Sequence, residues 1–111
     1  MDTSAKRSKL VSEWRPWVSR IARVVKEVIP DAEIYVAGSV VRGDSVGGSD
    51  VDILVVSRNA PSKPIDIARL KAVIEEKLCL PYYHPFEIHV LKPDEANHFI
   101  ERSKGSVLRM S

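Results

Sequence analysis

The chain has 111 residues, 44% hydrophobic and 29% charged, with a formal net charge of +2. That length favours a single domain over residues 1–111 with one modest core, and the balance excludes a disordered chain. No apolar run approaches the ~20 residues of a membrane helix, and the N-terminus leads into no signal-like apolar stretch, so a cytoplasmic protein with no membrane partner is expected.

Cys79 is the single cysteine, so no intrachain disulfide can form, and its apolar neighbours Leu78 and Leu80 suggest a buried packing residue. Residues 1–30 carry seven Lys/Arg against three Asp/Glu, whereas residues 31–111 carry ten against twelve. A basic N-terminal segment suits a nucleic acid or an acidic partner. The plainer reading is a solvated helix face. No aromatics interleave with the basic residues as on a single-strand binding surface, so nucleic acid is not favoured.

Leu10, Trp14, Trp17, Ile21, Val24 and Val28 recur at alternating spacings of four and three. They mark one face of an amphipathic helix at about residues 8–29. Pro16 is accommodated if Ser12 is the N-cap, because a first-turn proline removes an N–H that has no intrahelical partner. The alternative is a kink, or a break between two shorter helices. Ile34 to Ala37 reads as a short strand ended by Gly38-Ser39, and Val40-Val41-Arg42 begins a short helix. Gly43 to Gly48 is a loop on its glycine content.

Asp50 to Val56 is the clearest strand. Pro64 then opens a second long helix with Ile67, Leu70, Ile74 and Leu78 on one face. Phe86 to Leu91 alternates as a third strand, and Pro93-Asp94-Glu95 opens a last helix with two acids in its first turn. Gly105 to Ser111 reads as a loose tail. The expected fold is α/β (α+β): a three-stranded or slightly larger mixed sheet, helices packed on one face and the site on the other. The core of that fold spans about residues 34–91, with a C-terminal helix and tail over 93–111.

The chemistry concentrates in Gly38-Ser39-Val40-Val41-Arg42-Gly43 and Ser49-Asp50-Val51-Asp52. Gly38 allows a sharp turn and close approach of a ligand. Ser39 presents a hydroxyl and an amide at the start of a short helix, where phosphate is favoured. Arg42 can add charge to that seat or brace the loop. Asp50 and Asp52, two apart on a strand, share a face, and their mutual repulsion makes sense if a hard divalent ion lies between them. Val51, Ile53 and Val55 face the other way. On the third strand Glu87 and His89 oppose Phe86, Ile88 and Val90, so Glu87 can reach the aspartates if the two strands are neighbours. Three carboxylates beside a phosphate seat suit two-metal phosphoryl chemistry.

Gly38-Ser39, ten intervening residues and Asp50-Val51-Asp52 resemble the signature of the DNA polymerase β-like nucleotidyltransferase superfamily. Arg42-Gly43 and Ser49 resemble its short branch, the minimal nucleotidyltransferases. The resemblance runs from about Ile34 to Leu91. It implies that Gly38 and Ser39, with Arg42 and Ser49, bind the phosphates of ATP or another NTP. It implies that Asp50, Asp52 and Glu87 hold two Mg²⁺, and that Glu87 draws the proton from an acceptor hydroxyl. The family more often has Asp at this third position, and Glu is longer by one methylene. Small members lack the extra domain that grips the acceptor, so a partner is expected to supply it. The resemblance suggests a helical HEPN-type protein, paired with this chain as its toxin–antitoxin antitoxin.

His84, His89 and His98 lack the Cys/His spacing of a zinc site, and His89 stands out only for sharing the face of Glu87. Trp14 and Trp17 read as core or interface. Tyr82-Tyr83 suits either a nucleobase stack or loop packing. A second reading of the whole is a non-catalytic nucleotide- or metal-binding module that neutralises its partner by contact.

Overall fold

A computed structural model of the chain describes residues 3–43, 50–103 and 106–111. Among them the elements run α1 (Thr3–Ser12), α2 (Trp14–Val28), β1 (Glu33–Ala37), α3 (Ser39–Arg42), β2 (Val51–Val56), α4 (Pro64–Leu78), β3 (Phe86–Leu91), α5 (Pro93–Arg102) and β4 (Val107–Arg109). The strands form one mixed sheet in the order β3-β2-β1-β4. β1 lies antiparallel to both β2 and β4, and β2 pairs parallel with β3. A parallel pair needs a long crossover, and α4 supplies it.

Period-two alternation sorts the strands into two faces. Ile34, Val36, Val51, Ile53, Val55, Phe86, Ile88 and Val90 point to one side. There they pack with Val18, Ile21, Ala22 and Val25 of α2 and Ile74 and Leu78 of α4. Ile21, Ile34, Ile53 and Ile74 are completely buried. The opposite face carries Tyr35, Leu54, Val56 and Leu91, covered by Ala96, Phe99 and Ile100 of α5. The expectation of helices on one face therefore holds for α2 and α4 but not for α5. The apolar end of the second face needs its own cover, and α5 provides it.

The N-terminal segment is two helices rather than one beginning near residue 8. In a continuous helix the Pro16 ring would meet the Ser12 carbonyl and leave it without an amide partner. The break at Glu13 places Pro16 in the first turn of α2, where no intrahelical amide bond is lost. Ser12 is the last residue of α1 and not an N-cap: its hydroxyl donates to the Lys9 carbonyl at 2.8 Å.

The C-terminal segment corrects the expected loose tail. Val107–Arg109 pairs with Tyr35–Ala37 as a fourth strand, and Met110 donates its amide to the Ile34 carbonyl at 2.8 Å. Cys79 is exposed, not buried. It ends α4 in the left-handed conformation at φ 52°, and Leu78 takes the core position beside it.

Ser57, just past β2, is a buried polar residue whose hydroxyl donates to the Asp31 carboxylate at 2.7 Å and accepts the Asn59 amide at 2.9 Å. The bond from Ser57 holds the Asp31 carboxyl below its ordinary value. A carboxyl lowered on folding adds stability above its unfolded value, about pH 4, and that contribution is lost as pH falls through the folded value. The thermal midpoint of the wild type should therefore fall more steeply with acid than that of Ser57→Ala, below about pH 4. Parallel acid profiles would reject the assignment.

Candidate active site

Buried Val51 and Ile53 flank Asp52 on β2, so alternation turns its carboxylate to the α5 face of the sheet. On β3, buried Phe86, Ile88 and Val90 turn Glu87 and His89 to that same face. The parallel register then sets Glu87 directly beside Asp52, and His89 beside Leu54. The apolar cover by α5 reaches Leu54, Val56 and Leu91, and the acidic end stays accessible. The Asp52 side chain is 30% exposed, that of Glu87 54% and that of His89 22%.

The His89 ring rests against Phe99 of α5, with centroids 4.9 Å apart. That contact aims Nε2 at Asp52 Oδ1, 3.0 Å away, and at Glu87 Oε1, 4.0 Å away. One ligand atom from each of Asp52, Glu87 and His89 lies within 4.8 Å of the others.

The Gly38-Ser39 turn closes the site from the β1 side. Ala37, the last residue of β1, pairs with Asp52. Gly38 follows at φ 98°, ψ −158°, a conformation essentially confined to glycine. A Cβ there would stand 3.5 Å from Asp52 Oδ2. The Gly38 amide donates to the Ser106 carbonyl at 3.0 Å, so the residue before β4 holds the turn in place. Ser39 opens α3, the buried Val40 anchors that helix, and Arg42 ends it exposed before a left-handed Gly43. Gly38→Ala is expected to destabilise the chain by roughly 1–3 kcal/mol through backbone strain, read as a lowered urea midpoint. An unchanged midpoint would show that the turn adapts.

Of the residues singled out in the sequence, Gly38, Asp52 and Glu87 meet. Asp50 precedes β2, and its carboxylate is paired with the Arg7 guanidinium of α1 rather than gathered with the other two. Ser49 lies outside the described residues. Sequence reasoning missed Arg7, 43 positions from its partner, and saw in His89 only the face it shares with Glu87.

Two adjacent, accessible carboxylates fit a hard divalent cation, and the glycine turn leaves room for a ligand beside them. A family model described as "Nucleotidyltransferase domain" matches residues 18–107, most of the chain. The chain belongs to the nucleotidyltransferase domain family. This nucleotidyltransferase domain is similar in fold to a crystal structure of a candidate nucleotidyltransferase from Sulfolobus solfataricus. The two share 22% identity at a TM-score of 0.52, over 89% of this chain and 84% of the other. No curated protein matches the sequence. The matched span includes both the glycine turn and the Asp52–Glu87 pair, so the family likeness and the site coincide. Among the described residues no helix is long and apolar enough to cross a membrane.

Proposed function

We propose that this nucleotidyltransferase domain transfers a nucleoside monophosphate, AMP from ATP foremost, to an acceptor hydroxyl. The observation that carries the proposal is the side-by-side placement of Asp52 and Glu87 next to the glycine turn at Gly38. In this reading the Ser39 hydroxyl and Arg42 bind the triphosphate, with Ser49, and the open turn admits its phosphates. The acceptor oxygen bonds to the α-phosphorus, the bond from that phosphorus to the bridging oxygen breaks, and pyrophosphate leaves. Glu87, more exposed than Asp52, takes the acceptor proton. Asp52, Glu87 and Asp50 would hold Mg²⁺, two ions by the family resemblance, which supply charge neutralisation of the triphosphate when bound. Asp50 is engaged by Arg7 through one of its two carboxylate oxygens.

The acceptor we propose is a HEPN-type protein, with this chain as the antitoxin of the pair and residues 1–111 as one domain. The test is to incubate the chain with such a partner, Mg²⁺ and ATP labelled in parallel at the α- or the γ-phosphate. Label arriving on the partner from the α position only is the expected result. Label from the γ position would instead mean phosphoryl transfer and reject the proposal.

The engagement of Asp50 by Arg7 favours one alternative, a module that binds nucleotide or metal and silences its partner by contact alone. Under it the partner is neutralised with no label transferred, and an Asp50→Ala/Asp52→Ala double variant neutralises equally well.

A further inference from the structure

We infer that His89 is itself a metal ligand, and that the Asp52–Glu87–His89 cluster selects a divalent first-row transition ion over Mg²⁺. The inference deepens the proposed site but rests on the metal's presence there, not on transfer chemistry. A six-coordinate ion with bonds of about 2.1 Å holds adjacent ligand atoms about 3 Å apart and opposite ones about 4.2 Å apart. His89 Nε2 lies 3.0 Å from Asp52 Oδ1 and 4.0 Å from Glu87 Oε1, within that span. The imidazole is held in place from behind by Phe99, which keeps Nε2 turned toward the two carboxylates, and the three ligand atoms all lie within 4.8 Å of one another.

The donor chemistry sets the preference. Mg²⁺ takes oxygen ligands and keeps much of its water, whereas imidazole suits transition ions. A set of two carboxylates and one imidazole therefore adds little for Mg²⁺ over the carboxylates alone and strengthens binding of a softer ion. To bind at Nε2 the ring must carry its proton on Nδ1, or release it, because a ligating nitrogen offers its lone pair. The Nε2···Asp52 contact would then give way to two bonds to one ion.

Co²⁺ alone is the probe, with no nucleotide or acceptor present. The proton NMR spectrum of the wild-type Co²⁺ complex should show a hyperfine-shifted, exchangeable imidazole N–H resonance, absent in His89→Gln. By calorimetry, His89→Gln should lose at least about tenfold in Co²⁺ affinity, while its Mg²⁺ affinity changes by less than about threefold. Co²⁺ that binds without that resonance, or that fails to bind, overturns the inference whatever the variant does. Equal losses for both ions mean that His89 only orients Asp52, and overturn it as well. Because these readouts involve no transfer, failure of the metal inference and failure of label transfer are told apart.

Discussion

Asp52→Asn should abolish nucleotidyl transfer, lowering the rate by about three orders of magnitude, while the chain stays folded. The substitution keeps the shape of the side chain and removes the charge. Asp52 stands between three other parts of the site: Glu87 beside it in the register, His89 Nε2 at 3.0 Å, and the Gly38 turn facing its other oxygen. Without its charge Glu87 loses its adjacent carboxylate, and a divalent ion loses part of its anionic support. The amide oxygen of Asn can still meet His89, so the strand and its packing survive. The expected signature is a lost rate with a melting curve displaced by less than about 1 kcal/mol. Full activity in Asp52→Asn would remove this carboxylate from the chemistry. A collapse of the fold would make its role structural.

Ile53→Ala should destabilise the chain by about 2–5 kcal/mol, from lost transfer free energy and the cavity left behind. Ile53 is completely buried at the centre of β2, opposite Val36 of β1 on one side and Ile88 of β3 on the other. Its side chain joins the cluster beneath α2 and α4, so no solvent can fill the void. Domains of this size are stable by roughly 5–15 kcal/mol, so the loss removes a large share of the total. Urea unfolding should show a lowered midpoint with an unchanged slope. Ile65→Ala, at a residue 56% exposed on α4, serves as the comparison and should shift stability by no more than about 0.5 kcal/mol. Similar losses at the two positions would contradict the placement of the core. Ile53 is also the next residue after Asp52, so the same alternation that buries one presents the other.

Much of this site was legible before any fold was known. Alternation along Val51–Val56 and Phe86–Leu91 depends only on the pleat of an extended chain, and it put Asp52, Glu87 and His89 on polar faces. The glycine at 38 likewise announced a turn, and the structure gives it a positive φ. Pro64 and Pro93 marked the first residues of α4 and α5 because a missing amide is harmless there.

What the sequence by itself determined, then, was which way the side chains of β2 and β3 turn, since that follows from the pleat of an extended chain. The tertiary structure alone decided who meets whom. It set β3 beside β2, so that His89 reached Asp52 across 37 positions. It brought Arg7 to Asp50 and laid α5 over the second face. It also made a strand of Val107–Arg109, which is too short for its own pattern to announce and gains its order from pairing with β1. These contacts arise from burying apolar surface between distant segments, and no local period records that choice.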